Sequence, residues 1–542
     1  MYRLITLLSR EIRGLHEAAY LLAAFTLAAQ VLALVRDRTF AHLFGAGPTL
    51  DAYFAAFRIP DLVFALLTLF VSSFALVPLL SGRTREEQGA VIGPVLLAFG
   101  VTAVAVTAVL FVTLPTLMPY LIPGFSPTAQ MDTIVLSRIM LLQPLLLGLS
   151  SIAASVLQAS RRFMLFALAP IFYNGGIIVG AALLYPSFGI VGLAWGVVLG
   201  AALHLGVQVW PLLVGEGRLV LSFGNVWRQM RAVVLPSVPR AAALMANQGA
   251  LVAFVGIASA VSVGAVSALS FGFNLQSVPL SIIGVSYAAA LFPALAAAQR
   301  AGDQAGFARE LWATVRHVAF WLLPATALFI ILRAHLVRVV LGSGAFSWDD
   351  TRLTAAVLAL FVVSLLPQAL MLIFSRAYYA LGRTWLPIVI NVSAAICAAL
   401  AAILLVAMVA EHPLSRYFVE SLLRVGDIPG TAVLMIPLAY TAVMSIAALA
   451  FAICTARAVG RGEGVMSSLG ISFSASVIGA AATYVALQAF GPLLPTNTFL
   501  GIFAQGAGAG TIGLLSWVLV LSLMRSREFG DVVTLMRGKL GR

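Results

Sequence analysis

Apolar residues in this chain come in long unbroken runs, separated by short turns rich in Gly, Pro and Arg, and not in the alternating rhythm of a half-buried sheet. A helix needs about 20 apolar residues to cross the hydrocarbon core of a bilayer. Fourteen runs meet that length, near residues 17–36, 53–80, 89–119, 133–158, 164–185, 188–214, 232–260, 264–297, 311–341, 352–379, 385–410, 430–456, 466–490 and 498–524. The second, eighth and ninth exceed one crossing, which predicts tilt, kinks or extension beyond the bilayer. A transmembrane barrel would show ten-residue strands of alternating hydropathy instead. The pattern predicts an all-α polytopic membrane protein.

A weak repeat divides those spans. After the fourth the chain reads ASRRFMLFALAPIFYN, ending Pro170-Ile171-Phe172-Tyr173-Asn174, and after the tenth ALGRTWLPIVIN, ending Pro387-Ile388-Val389-Ile390-Asn391. Each joins a basic turn to a P-I-x-x-N helix start, six spans apart. Coincidence among Pro-started helices is one reading. The other is two pseudo-symmetric six-helix lobes with a substrate path between them, followed by two C-terminal helices. On that reading residues 1–16 are a cytoplasmic amphipathic lead, 17–215 the N-lobe and 216–460 the C-lobe. Residues 461–542 are then the two extra helices and a basic tail.

Composition agrees with the class. With 62% hydrophobic residues, 9% charged residues and a mean hydropathy of +1.05 over 542 residues, the chain is no soluble globule. Arginine placement orients it: the connections after even-numbered spans are basic, with Arg83, Arg85, Arg161, Arg162, Arg218, Arg300, Arg383 and Arg457 among them. Opposite connections such as PGFSPTAQ and YPSFG carry none. The positive-inside rule places both termini in the cytoplasm. The net charge of +13 is scattered over many short loops, so it reads as topology and attraction to anionic lipid, not as a nucleic-acid footprint. Cys397 and Cys454 read as small buried hydrophobes, and the six histidines form no ligand-spaced pair, so no metal site is expected.

Candidate chemistry concentrates between Arg36 and Asp61, RDRTFAHLFGAGPTLDAYFAAFRIPD, where three arginines and three acids abut apolar runs. Ionisable groups at membrane depth usually face a wet cavity or a partner. Arg36 is either a ligand for an anionic group or half of a helix-end pair with Asp37. Arg58 is a ligand or a snorkelling arginine, and Asp51 a cavity residue or an ordinary helix N-cap. Asn247, Gln248, Asn274 and Gln276 line a cavity or hydrogen-bond between helices. Gly506, Gly508 and Gly510 read as close helix packing or lipid contact. A membrane enzyme would need clustered carboxylates or a metal, and the acidic pairs are only Glu86-Glu87 and Asp349-Asp350, in short loops.

These residues resemble the MurJ/MviN lipid II flippases of the multidrug/oligosaccharidyl-lipid/polysaccharide exporter superfamily. The resemblance rests on Arg36-Asp37, FGAG at Phe44–Gly47, Asp51-Ala52-Tyr53-Phe54 and AAFRIP up to Pro60. SRRF with Pro170 and Asn174, and NLQSVPLSIIGVSYAAALFPAL from Asn274 to Leu295, extend it over most of both lobes. It implies a fourteen-span transporter, not an enzyme, whose two extra helices form a lipid-tail groove. It further implies a bacterial cytoplasmic-membrane protein acting as a monomer among membrane lipids. Its implied cargo is undecaprenyl-pyrophosphate-linked disaccharide-pentapeptide, moved from the inner to the outer leaflet for peptidoglycan assembly.

A pyrophosphate headgroup suits arginine, whose planar fork makes bidentate phosphate contacts. Of the cavity arginines in the family's pattern, only Arg36 aligns; Gln30, Phe64 and Asn274 stand where the family commonly has arginine. The substrate-binding set expected here is therefore Arg36, Asp37, Asp51, Arg58, Gln30 and Asn274, in a cavity less cationic than in relatives and reliant on neutral hydrogen bonds. The departure also admits an exporter of another polyprenyl-pyrophosphate-linked oligosaccharide or polysaccharide. No nucleotide-binding motif or other cofactor signal is present, so the drive is expected from a coupling cation, the membrane potential or downstream consumption. A carboxylate-type cation site would use Asp37, Asp51 or Asp61, and a carbonyl-only site is the alternative.

Overall fold

The computed structural model describes residues 15–160, 162–214, 222, 224, 226–495 and 498–540. Most of the expected N-terminal lead, with Arg161 and Arg218, lies outside them. Among the described residues all regular structure is helical, and helices occupy every one of the expected positions. Twelve are long and apolar enough to cross a membrane. A thirteenth span is the pair Trp348–Val362 and Leu365–Ala380, bent by 41°. The helix at the first position, Leu15–Phe44, has 30 residues and is not among these, so twelve or thirteen stand against the fourteen expected.

The over-long spans are accommodated by breaks. The second is three helices, Pro48–Ala56, Arg58–Val71 and Ser73–Leu80, interrupted at Phe57 and Ser72. The eighth, Ala265–Arg300, widens into a π segment at Leu280–Val285, directly after Pro279 has removed a backbone donor. In the ninth, Gln304–Ile331 ends at Leu332 and a separate helix, Arg333–Leu341, follows.

Side chains at the turns start the helices. Thr84 and Glu87 form a capping box before Arg85–Leu121, and Ser347 and Asp350 form one before Trp348–Val362. The carboxylates of Glu87 and Asp350 thus accept from backbone N–H groups, and both acidic pairs lie in the first turns of helices, not in the short loops expected.

By internal contacts the chain forms two compact units, Met1–Ser267 and Ala268–Arg542. In the first, the fifth and sixth spans meet glycine to glycine. A Cβ on Gly176 would lie 2.3 Å from the Gly200 Cα, and one on Gly180 would lie 2.4 Å from the Gly196 Cα. This is the small-xxx-small packing that lets membrane helices approach closely. Val226–Ser259 also belongs to this unit, packed on Arg58–Val71 and Arg85–Leu121.

In the second unit the core is aromatic, with Phe374 against Phe451 and Phe361 against Tyr440 at 5.7 and 5.6 Å between ring centroids. The two C-terminal helices dock through Trp517 on Phe320, 5.0 Å apart, and through close approach of Gly506 to His335 and Gly510 to Leu332, while Gly508 meets Phe490 between the two helices themselves. Cys454 is half-buried, but Cys397 is exposed on the outer face of its apolar helix, contrary to the buried position expected.

Candidate functional site

The first helix, Leu15–Phe44, carries Arg36 and Asp37 across from the fifth span, against which it packs. Asp37 is buried, and both Nε and one terminal nitrogen of Arg36 donate to its Oδ1, at 3.0 and 2.8 Å. The other terminal nitrogen of Arg36 donates to Asn174 Oδ1 at 3.0 Å. Asn174 is itself oriented by donating to the carbonyl of Pro170, 2.9 Å away. Asn391 does the same to Pro387 at 2.7 Å in the second unit, so the two P-I-x-x-N starts share one local geometry.

Arg36 pairs with Asp37 well inside a helix that runs on to Phe44, not at the helix end expected; that pair and Asn174 engage three of its five N–H groups and hold the guanidinium in a fixed attitude, with the side chain 20% exposed.

Asp51 does not cap its own helix: Gly47 occupies that position and Asp51 lies within the first turn of Pro48–Ala56. Its carboxylate instead accepts from Gly264 N at 2.6 Å, Ser267 N at 2.8 Å and Ser267 Oγ at 2.6 Å. These donors belong to the start of Ala265–Pro279, so Asp51 caps a helix more than two hundred residues away in sequence, where orphan N–H groups and the helix dipole favour a carboxylate. Gly264 has φ +85°, and a Cβ there would strike the carbonyl oxygen of Ala46 at 2.5 Å. The FGAG turn and the Gly264 turn are thus fitted to each other.

Arg58 opens the helix Arg58–Val71 and Asp61 follows one turn on. The buried Nε of Arg58 has no hydrogen-bond partner, and no ion pair among the described residues includes this arginine. It borders a small void lined by Ala55, Ile59, Met118, Leu121, Ile122, Val252 and Val255. Asp61 is half-buried, accepts a hydrogen bond from Gln143 and feels the charge of Arg58. Tyr173 lies within electrostatic reach of both Asp61 and Arg36, and Tyr53 of Arg36, Asp37 and Asp61. One unit thus gathers Arg36, Asp37, Arg58 and Asp61 into a single charged neighbourhood walled by tyrosines.

Gln30 is half-buried on the same helix as Arg36, but six residues earlier, so at 100° per residue it points about 120° around from it. No hydrogen bond joins it to the cluster. Asn274 is half-buried in the second unit, its carbonyl accepting from Ser277. Gln276 is fully buried and bonded to Gln368, which also bonds Ser364. That is the interhelical reading, not cavity lining. Among the described residues no group of three His, Cys, Asp or Glu is placed to hold a metal ion. Sequence reasoning did not assign Asn174, Gln143, Gly264 or Ser267 to the site. Only Asn174 carried a signal, as a marker of the repeat.

A helical membrane fold with cations and acids gathered in one bundle of apolar helices defines a polytopic transporter. The model of the lipid II flippase MurJ family matches residues 40–500, most of the chain, and the chain belongs to that family. It is similar to the probable lipid II flippase MurJ of Rhizobium tropici, 27% identical over 383 residues covering 67% of this chain and 70% of that one. It is likewise similar to the lipid II flippase MurJ of Burkholderia cenocepacia, 27% identical over 381 residues covering 68% and 73%. Among solved structures, a lipid II flippase MurJ in an inward closed conformation superposes with a TM-score of 0.74 at 20% identity, covering 95% of this chain and all of that one. An inward-facing multidrug resistance MATE family transporter of the MOP superfamily gives 0.65 at 16% identity, covering 83% and 99%.

Proposed function

We propose that this chain moves lipid II from the inner to the outer leaflet of the bacterial cytoplasmic membrane by alternating access between two six-helix lobes, as a monomer with both termini in the cytoplasm. Family membership supports the cargo. The observation that carries the chemistry is the unequal state of the two arginines. Arg36 is pre-oriented by Asp37 and Asn174 with two N–H groups to spare. Arg58 has a buried Nε without a hydrogen-bond partner and joins no ion pair among the described residues. A pyrophosphate supplies the missing acceptors.

Of the three acids, Asp37 is engaged by Arg36 and Asp51 by the turn at Gly264, so Asp61 is the carboxylate left for a coupling proton or cation. Phe64 in place of a third arginine favours, as second reading, export of a different polyprenyl-pyrophosphate-linked glycan.

Complementation separates the two readings. Growth of a strain depleted of its own lipid II flippase supports lipid II as cargo, and lysis despite membrane-inserted protein supports the other exporter.

A further inference from the structure

The connection between the eleventh and twelfth spans contains a helix, Pro413–Leu423, whose sidedness is the reverse of a helix on a soluble surface. Leu414, Tyr417, Phe418 and Leu422 face outward at 84%, 59%, 70% and 66% exposure. Their spacing of i, i+3, i+4 and i+8 makes one stripe. Polar groups turn inward instead. Arg416 donates to Glu420 at 2.6 Å and to Thr431 at 3.0 Å, the Thr431 hydroxyl donates to the same carboxylate, and Glu420 and Thr431 are both buried.

A second clamp fixes the turn that follows. Arg352, in the opening turns of the tenth span, donates to Asp427 at 2.6 Å and to the carbonyl of Arg424 at 2.7 Å. The helix is thus held rigidly with its apolar side away from the protein.

Its position says what covers that side. It starts two residues beyond the spanning helix Trp385–Glu411, and the next span begins at Thr431. Leu400, Ile403, Leu404 and Met408 along that first span are also exposed, so the stripe continues the lipid-facing surface. Trp348, four residues before Arg352 and 53% exposed, marks the same rim, where Trp and Tyr favour the membrane–water boundary. Eleven residues rise only about 16 Å, too short to cross.

We propose that Pro413–Leu423 is an interfacial foot. It lies in the plane of the membrane surface with Leu414, Tyr417, Phe418 and Leu422 sunk into lipid, and it braces the ends of the tenth to twelfth spans against that leaflet. Helices with a strong apolar stripe bind in this way. The inference rests on the spanning helices alone and is independent of the cargo.

The test uses full-length protein with Cys397→Ser and Cys454→Ser, carrying single spin labels at Leu414→Cys, Phe418→Cys or Leu422→Cys, purified into lipid nanodiscs. All three positions are exposed, so labels there do not disturb the packing. Collision with oxygen, which partitions into lipid, is compared with collision with a water-soluble nickel chelate. Oxygen dominates at all three positions, by about threefold or more, if the stripe is in the membrane. Nickel dominance in nanodiscs would overturn the proposal, because the stripe would then face water and await a protein partner.

Discussion

Replacing Arg36 with alanine separates the two roles its geometry implies. The substitution removes the hydrogen bonds to Asp37 and Asn174 and leaves the Asp37 carboxylate, 2% exposed, without this counter-charge. Breaking a buried pair by deleting one partner costs about 3–5 kcal/mol. Arg36 is itself 20% exposed, so water reaching the gap places the expected loss at about 3 kcal/mol. Lysine keeps one charge on Asp37 but cannot also reach Asn174, so it should recover roughly half of that.

Unfolding by titration with a denaturing detergent reads the stability, and headgroup binding in nanodiscs reads the ligand role. The double substitution Arg36→Ala with Asp37→Ala should be less destabilising than Arg36→Ala alone, because no uncompensated charge is left behind. Wild-type stability of Arg36→Ala would show that the cluster does not form. Lost stability with unchanged headgroup affinity would reduce Arg36 to a strut.

Asp51→Ala leaves the N–H groups of Gly264 and Ser267 without their acceptor and should cost about 3 kcal/mol or more in the same assay, with Asp51→Asn intermediate; equal stability of all three proteins would refute the cap. Arg58→Ala should behave oppositely: it breaks no ion pair in the described residues, so unfolding stays within about 1 kcal/mol while headgroup affinity falls about tenfold or more and loses salt dependence. Unchanged affinity would remove Arg58 from the site. Glu528 supplies a pH test. Burial opposes its ionisation, but hydrogen bonds from Ser468, from its own backbone N–H and from Ser526, with the charge of Arg316, outweigh this and hold it below the ordinary 4.5. A depressed carboxyl adds stability that is present above the ordinary value and lost as pH falls through the folded one. Amide exchange in Arg527–Leu540 should therefore accelerate below about pH 4.5, and Glu528→Gln should show the fast rate at neutral pH with no acid step.

How much of this was legible in advance follows from sequence distance. The spans were readable because a run of about 20 apolar residues is a local signal with one physical meaning. The break at Leu332 was legible only as excess length in the ninth span, because a run of that length can equally tilt, kink or extend beyond the bilayer. The contacts of Gly176 with Gly200 and of Gly180 with Gly196 went unread, because small residues in a membrane helix do not announce their partner. Asp51 looked like a local cap because that is the ordinary use of an aspartate near a helix start; its real donors lie at Gly264 and Ser267. Arg36 with Asp37 was evident from adjacency, whereas Asn174 joins them only once the first and fifth spans pack.

The central claim is that this chain carries a pyrophosphate-linked peptidoglycan precursor on cations supplied by its first two spans. Flipping of lipid II in proteoliposomes, followed by a membrane-impermeant reagent that modifies only the outer leaflet, tests it most directly. The account predicts transport by the wild type that is suppressed in Arg58→Ala despite intact folding, and that is competed by other pyrophosphate lipids but not by neutral ones. Lipid II that stays in its original leaflet with well-folded wild-type protein, or that crosses equally fast with Arg58→Ala, would contradict it.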